Sequence, residues 1–444
     1  MTKNNSTPTK SENGRHERTK HAVPKVLGKA VAAKLAVTRA VHAEGSDVIK
    51  IGLIGCGGRG SGATVQALNT AGAVKLVAMA DIFEDRLKAG KRMIEGQHPE
   101  RVDVPGDQQF VGFDAYQSLL QTDIDLVILA TPPGFRPLHV EAAVQAGKHV
   151  FMEKPVAVDV PGVHRVIAAA KAAKEKDLAV AVGLQRRHEE KYRETIDRLR
   201  GGAIGGMNLS RVAWNCAGVW TRPRQEGQTE LEYQMRNWYY FNWLSGDHIV
   251  EQHIHNLDVI NWLKEDYPVT ANGQGGREVR TGREHGQIFD HHFVEYTYAD
   301  GHKMFSQCRQ IANCWNDVSE QVHGTAGWAD ISKGVIHYAN GKTEWEFGRR
   351  GGFGTDEEHH HLFADLRAGK RPNEGHYGAM STMTAILGRM ATYSGKTVTM
   401  ADALASNVRL ATVDAYETLS DAAPVEPDGD GFYEVPIPGK SEVL

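Results

Sequence analysis

A glycine-rich hexapeptide between a strand-like run and a helix-like run constrains the fold of this chain more than any other feature. The run at 48–54 is short and mostly apolar, as buried strands are, and Gly55-Cys56-Gly57-Gly58-Arg59-Gly60 follows it. The hexapeptide fits G-x-G-x-x-G, in which the glycines make a tight turn, admit a pyrophosphate close to the backbone and pack helix on strand. We therefore predict a dinucleotide-binding turn whose helical N–H groups face the phosphates. The candidate cofactor-binding residues here are Gly55, Gly57, Gly58, Arg59 and Gly60.

An acidic residue at the end of the next apolar run, 74–80, extends this motif. Asp81 lies 21 residues beyond Gly60, where a carboxylate accepts hydrogen bonds from ribose hydroxyls. Because a 2′-phosphate at that position would meet like charge, the sequence favours NAD over NADP as the cofactor.

The order of the remaining runs predicts an α/β chain with two kinds of sheet. Apolar runs at 126–130, 149–152 and 178–182 alternate with helical segments, which is typical of a doubly wound parallel sheet. Beyond residue 186 the pattern changes to hairpins, as where Ala299-Asp300-Gly301 separates two alternating stretches. We predict four regions along the chain: a basic N-terminal arm over 1–47, a Rossmann domain over 48–185, an α+β substrate and oligomerisation domain with a large, mainly antiparallel open sheet over 186–423, and a proline-rich C-terminal strap over 424–444.

The N-terminal arm has the opposite charge to the rest of the chain. Residues 1–43 contain nine Lys or Arg and two Glu, whereas the whole chain has a formal charge of −4, so the body is acidic and nucleic acid is disfavoured as a partner. Val41-His42-Ala43 resembles an export cleavage site, but basic residues interrupt the segment before it, and a signal needs roughly 7–15 unbroken apolar residues. We therefore favour a cytoplasmic protein, with an exported one as the alternative. No run of about 18 apolar residues predicts a membrane span.

Two further motifs follow strands of the predicted parallel sheet, at the carboxyl ends where cofactors bind. Ala130-Thr131-Pro132-Pro133 follows one strand, and we assign Thr131 and Pro132 to the ribose–nicotinamide half of the cofactor; an ordinary proline-stiffened loop is the alternative. Glu153-Lys154-Pro155 follows the next strand. With the glycine turn and Asp81, these motifs resemble the Gfo/Idh/MocA family of glucose–fructose oxidoreductases, inositol dehydrogenases and relatives. The resemblance runs from about residue 48 to 420 and is strongest up to Pro155.

The resemblance implies an NAD-dependent oxidoreductase, forming a homodimer or homotetramer, that acts on a secondary hydroxyl of a sugar, sugar alcohol or glycoside. It places Glu153 and Lys154 at the cofactor and Lys154 against the substrate hydroxyl, where a cation stabilises alkoxide character. One alternative is an NAD-dependent glycosidase working by oxidation, elimination, hydration and reduction, although the Tyr-Pro-Thr-His-Gly-like segment of those enzymes is not found in the sequence. A more remote one is a non-catalytic nucleotide-binding protein.

The family pattern Asp-x-x-x-His is matched by Glu251 and His255, with Glu where the family usually has Asp. The i,i+4 spacing puts both on one helical face, which His248, Asp258 and Trp262 share. A helix face exposed to solvent normally includes Lys or Arg, but residues 244–263 contain neither. We therefore predict that this stripe of side chains lines a cleft. His255 is then the general base, and Glu251 orients it or binds a sugar hydroxyl.

The same segment also raises the question of a metal site. No HExxH spacing exists, because Gln252 stands where the second His would be. We therefore expect no metal, and leave as an alternative a divalent ion held by His248, Glu251 and either Asp290 or His292.

Weaker substrate candidates lie after the last Rossmann strand and in an aromatic run. Arg186 and His188 follow that strand and are predicted to contact substrate, with a junction salt bridge as the alternative. Trp238 and Tyr239 begin an aromatic-rich run that offers stacking faces to a sugar ring, although core packing is the commoner use of such residues.

Overall fold

The structure is a computed structural model that describes residues 48–349 and 351–444. The predictions for the basic arm and its export-like site lie outside these residues. In the described part of the chain, no helix is both long and apolar enough to cross a membrane.

The first sheet is the predicted doubly wound one. Its six strands are all parallel and lie in the order β3-β2-β1-β4-β5-β6. Helices alternate with the strands, as the sequence pattern predicted. The elements are β1 (Ile49–Ile54), α1 (Gly58–Leu68), β2 (Val74–Asp81), α2 (Glu84–Gln97), β3 (Gln109–Val111), α3 (Ala115–Leu120), β4 (Leu126–Leu129), α4 (Arg136–Gln145), β5 (His149–Met152), α5 (Val160–Glu175) and β6 (Val180–Val182).

The second sheet has nine strands in the order β14-β13-β12-β11-β7-β10-β9-β8-β15, and only the β10–β7 pair is parallel among the described residues. The predicted hairpin is confirmed, because Thr297 of β9 lies opposite Lys303 of β10. Its elements, with the helices around it, are α6 (Glu190–Arg200), β7 (Met207–Cys216), α7 (Glu230–Arg236), α8 (Asn242–Ser245), α9 (His248–Glu251), α10 (Ile254–Lys264), β8 (Thr270–Gly276), β9 (His291–Thr297), β10 (Lys303–Gln310), β11 (Asp317–Gly324), β12 (Gly327–Asp330), β13 (Val335–Tyr338), β14 (Thr343–Glu346), α11 (Gly354–Arg367), α12 (Gly375–Ser394), β15 (Val398–Thr399) and α13 (Met400–Ala405). The predicted fold class is therefore confirmed.

After the second sheet the chain returns to the first. Leu362 and Phe363 of α11 are buried in one cluster with Ile51 of β1 and Phe151 of β5, and α12 packs on both α5 and β8. Helices from the C-terminal half thus complete the packing of the Rossmann sheet. The sequence places a domain boundary at residue 185, and this boundary stays a prediction. Because α11 and α12 pack back on the first sheet and its helices, one boundary along the chain does not separate the two packing units.

The segment over 424–444 contains no helix or strand and is held by side chains of α7. The Tyr433 hydroxyl donates to Glu230 over 2.5 Å, and the Gln234 amide donates to the Val425 carbonyl over 2.6 Å.

The outer face of the nine-stranded sheet exposes aromatic rings. Phe293 is 44% exposed and stacks on Phe305 across the β9–β10 pair, with ring centroids 6.4 Å apart. A broad sheet face with apolar side chains is the kind of surface that a second subunit covers, so the homodimer or homotetramer stays a prediction that this face supports.

Candidate functional site

The glycine turn between β1 and α1 has the geometry that a dinucleotide pyrophosphate requires. Gly55 has φ +96°, and a Cβ there would lie 2.6 Å from the peptide that joins Ala130 and Thr131. A Cβ on Gly60 would lie 1.9 Å from the Gly55 carbonyl oxygen, whereas one on Gly57 would meet no described atom within 4 Å. The first and third glycines therefore allow close backbone packing, and the second leaves open space at the start of α1, where helical N–H groups favour an anion.

Asp81 ends β2 beside this turn. Its Oδ2 accepts from the Cys56 N–H over 2.6 Å and its Oδ1 from the Phe83 N–H over 2.9 Å. Burial raises the pKa of the carboxyl group, and the two N–H donors oppose that effect. Each carboxylate oxygen keeps a further lone pair, and Asp81 borders a cavity that Thr131 also lines. The residues present thus fit a bound ribose at the edge of the sheet.

A buried arginine that the sequence reasoning missed lies at the carboxyl end of β4. Arg136 is 2% exposed and donates to the Leu129 carbonyl. Burial lowers its pKa to about 10, while the carboxylates of Glu153 and Glu251 raise it. Arg59 lies on the other side of Glu153, with its Nε 2.8 Å from the Glu153 carboxylate. Positive charge therefore surrounds the acidic residue of the Glu-Lys-Pro motif.

Lys154 lies just after β5 of the first sheet and contacts Glu251, the last residue of α9. Its Nζ donates to the Glu251 carbonyl over 2.6 Å and to the Glu251 carboxylate over 2.9 Å. The two side chains are 14% and 15% exposed, so the pair is mostly buried and retains a small opening. These two predicted catalytic residues lie together although 97 positions separate them in the chain.

His255 lies beside this ion pair with a neutral ring. Burial, then the charges of Lys154 and Arg186, holds the pKa of its imidazole well below the usual value. The ring stacks on Trp214 of β7 with centroids 5.9 Å apart. Its Nδ1 has no hydrogen-bond partner in the described residues. An imidazole that stays unprotonated at neutral pH can accept a proton from a bound hydroxyl.

Tyr239 also reaches this site, through its hydroxyl group. Burial, then the charge of the Glu251 carboxylate, raises the pKa of the phenol well above the usual value. The Gln310 amide donates to the same hydroxyl over 2.9 Å. The neighbouring ring of Trp238 packs against Trp220, with centroids 5.9 Å apart.

The residues that follow β6 are tied to other parts of the protein. Arg186 forms a buried ion pair with Glu320, and its guanidinium lies 5.6 Å from the Trp214 ring centroid. The junction salt bridge named as an alternative for Arg186 is therefore present, behind the ring on which His255 stacks. His188 shares a hydrogen bond of 2.9 Å with His361 of α11.

The predicted continuous helical stripe is wrong. α9 ends at Glu251 and α10 begins at Ile254, and between them His253 bonds Ser306 of β10 over 2.8 Å. This break turns the two ends of the stripe inward. His248 is completely buried, Asp258 pairs with Arg187 over 2.8 Å, and Trp262 lies beneath the same guanidinium. Only Glu251 and His255 of the predicted stripe lie with Lys154.

Comparison with known proteins finds similar sequences and similar folds. Residues 49–184 match the model of the Gfo/Idh/MocA oxidoreductase family, NAD-binding Rossmann fold. The chain is 26% identical to inositol 2-dehydrogenase of Klebsiella pneumoniae over 288 residues, which are 64% of this chain and 74% of that protein.

Solved structures share the fold over most of the chain. Aldose-aldose oxidoreductase from Caulobacter crescentus superposes with a TM-score of 0.62 at 19% identity, covering 79% of this chain and all but 1% of its own. Scyllo-inositol dehydrogenase from Lactobacillus casei, solved with bound NAD(H) and scyllo-inositol, superposes with a TM-score of 0.61 at 22% identity over 80% of this chain and 99% of its own.

Proposed function

We propose that this chain is a nicotinamide-dependent oxidoreductase of the Gfo/Idh/MocA family, and that it oxidises or reduces one secondary hydroxyl of a sugar, sugar alcohol or glycoside. The observation that carries this proposal is the Lys154 ammonium, held 2.9 Å from Glu251 beside the neutral imidazole of His255. Such a pair supplies both the base and the positive charge that removal of a hydroxyl proton needs.

The proposed roles follow from the chemistry of each group. The cofactor bound at the glycine turn supplies the acceptor for hydride. His255 takes the hydroxyl proton, and Lys154 stabilises the negative charge that develops on the oxygen. Glu251 holds the Lys154 side chain in one position by binding it through both backbone and carboxylate oxygens.

The proposed substrate class rests on what surrounds these groups. The half-buried ring of Trp214 and the hydroxyl of Tyr239 border the charged pair, a combination that suits a neutral polyhydroxylated ring. Inositol 2-dehydrogenases among the relatives support a cyclic polyol or sugar. We also propose NAD over NADP, because the Asp81 carboxylate at the end of β2 would repel a 2′-phosphate.

The test begins with the cofactor. Purified protein is denatured and its supernatant analysed by mass spectrometry for NAD(H) and NADP(H). The intact protein is then screened with inositols, sugars and glycosides, while NADH is followed by absorbance and the products by mass spectrometry. We expect an oxidised product that retains the carbon skeleton.

Matched variants make the screen specific to the proposed site. His255→Ala should lose the activity found, whereas His323→Ala, which alters an exposed histidine of β11, should keep it. A wild-type rate in His255→Ala would contradict the proposal. Cleavage of a glycoside with no net change in NADH would show that the redox glycosidase chemistry applies instead.

A further inference from the structure

Three ligand-type side chains meet in a completely buried cluster at the start of α9. The Asp247 cluster consists of Asp247, His248 and His292, which are 0%, 0% and 2% exposed. The Asp247 Oδ1 lies 2.8 Å from His248 Nδ1 and 3.3 Å from His292 Nε2. One atom from each side chain lies within 4.8 Å of the other two.

Hydrogen bonding does not account for this convergence. His248 Nδ1, His248 Nε2 and His292 Nε2 are buried, and none has a partner with hydrogen-bond geometry among the residues described. Buried polar atoms in native proteins are nearly always paired, so three such nitrogens around one carboxylate need an explanation.

The Asp247 carboxylate is oriented by donors on its other oxygen. Oδ2 accepts from the Phe289 N–H over 3.0 Å and from the Tyr393 hydroxyl over 2.5 Å. Oδ1 accepts from the His248 backbone N–H over 2.5 Å and keeps a second lone pair for the histidine rings. Asp247 itself has φ +74°, a backbone conformation that non-glycine residues seldom adopt and that clusters at active sites and ligand sites.

The spacing fits a tetrahedral metal ion. Zinc binds imidazole nitrogen at about 2.0–2.1 Å and carboxylate oxygen at similar distances, so two of its ligand atoms lie about 3.3 Å apart. The 3.3 Å separation of Asp247 Oδ1 from His292 Nε2 equals that value, and the 2.8 Å separation from His248 Nδ1 is about half an ångström shorter.

We propose that Asp247, His248 and His292 bind a zinc-class divalent ion. The Asp247 carboxylate offsets part of the charge of the cation, and the two imidazoles bind it as neutral ligands. Because the site is closed to solvent, the ion is structural. It ties the start of α9 to β9, and α9 carries Glu251 at its other end. The proposed site departs from the expectation that no metal binds, and it differs from the alternative with Glu251 or Asp290. Glu251 binds Lys154, and one Asp290 oxygen accepts three backbone N–H groups.

The test measures metal content and ligand chemistry without using activity. Protein expressed in zinc-supplemented medium is dialysed against metal-free buffer and analysed by inductively coupled plasma mass spectrometry. We expect one zinc ion per chain. His292→Ala should lose it, whereas His291→Ala, on the neighbouring and outward-facing position of β9, should retain it.

Cobalt substitution provides the second measurement and does not depend on any variant folding. Protein grown with Co²⁺ should show the visible bands of a tetrahedral nitrogen and oxygen site. Bound cobalt with the weak spectrum of an octahedral aqueous ion would contradict binding within this buried cluster. Wild-type protein that carries no transition metal, and whose melting temperature does not change on adding Zn²⁺, would overturn the site and leave a metal-free Asp–His cluster.

Discussion

The two ends of α9 carry the same kinds of residue in very different surroundings. At its start, Asp247 and His248 are sealed from solvent. At its end, Glu251 binds Lys154 beside His255, and these side chains keep a small exposed fraction. The same pair of residue types, a carboxylate and a histidine, can thus serve either binding or catalysis. Whether solvent and substrate can reach the side chains decides between the two uses. A closed cluster holds an ion or an internal bond, whereas a group with an opening can meet a substrate.

The largest expected effect is on turnover, and it distinguishes the end of α9 near Lys154 from the start of α9, where we expect a change in melting temperature. His255→Ala and Lys154→Ala should each lower turnover by about 10²–10⁴, the usual cost of losing a group that handles a proton. Cofactor affinity, measured by calorimetry, should stay almost unchanged, since neither residue forms the glycine turn. His248→Ala should instead lower the melting temperature, because it opens a cavity next to a buried carboxylate. If His255→Ala unfolds the protein and His248→Ala does not, the assignment of the two ends is reversed.

A third region, at the glycine turn, offers the next largest effect. We expect NAD(H) to bind at least about tenfold more tightly than NADP(H), a difference of about 1.4 kcal/mol, because of the Asp81 carboxylate. Asp81→Ala should narrow that difference while the activity of the NAD-loaded protein persists. Calorimetric titration of both cofactors measures it. Equal affinities in the unmodified protein would contradict the role given to Asp81.

A smaller effect concerns the pH dependence of kcat/KM. His255 must be unprotonated to act as the proposed base, and burial, then the charges of Lys154, Arg186 and Arg59, lower its pKa in the folded protein. The fall of kcat/KM at acidic pH should therefore begin below the pH at which an ordinary histidine titrates. We expect kcat/KM to stay level from pH 8 to pH 6. An imidazole with an ordinary pKa of about 6.5 would lose about fourfold at pH 6. A limb at or above pH 6.5 would show that the ring is more open than the structure has it.

Much of the fold could be predicted because local signals agreed with one another. The apolar runs around Ile51, Met79 and Val150 are strands within a residue or two of their predicted limits, since a strand buried on both faces reads as a continuous apolar run. The glycine roles were predictable for the same reason. Gly55 and Gly60 can only be glycine where the backbone packs so closely.

The site was predicted less completely because its geometry depends on contacts between distant segments. The break after Glu251 is stabilised by Ser306 on a strand of the second sheet, and helical periodicity contains no information about that partner. The burial of Arg136 and the meeting of His248 with His292 are likewise tertiary events. A sequence pattern places residues on a helix face, but only packing decides which of them reach solvent.

We propose that Lys154 and His255 act on one substrate hydroxyl in one step. Single-turnover reduction of bound NAD, with the best substrate from the screen, is measured for His255→Ala, Lys154→Ala and the double variant. Groups that serve the same step fail together. We expect the double variant to be about as slow as the slower single variant. Losses that multiply, or a wild-type rate in either single variant, would contradict it.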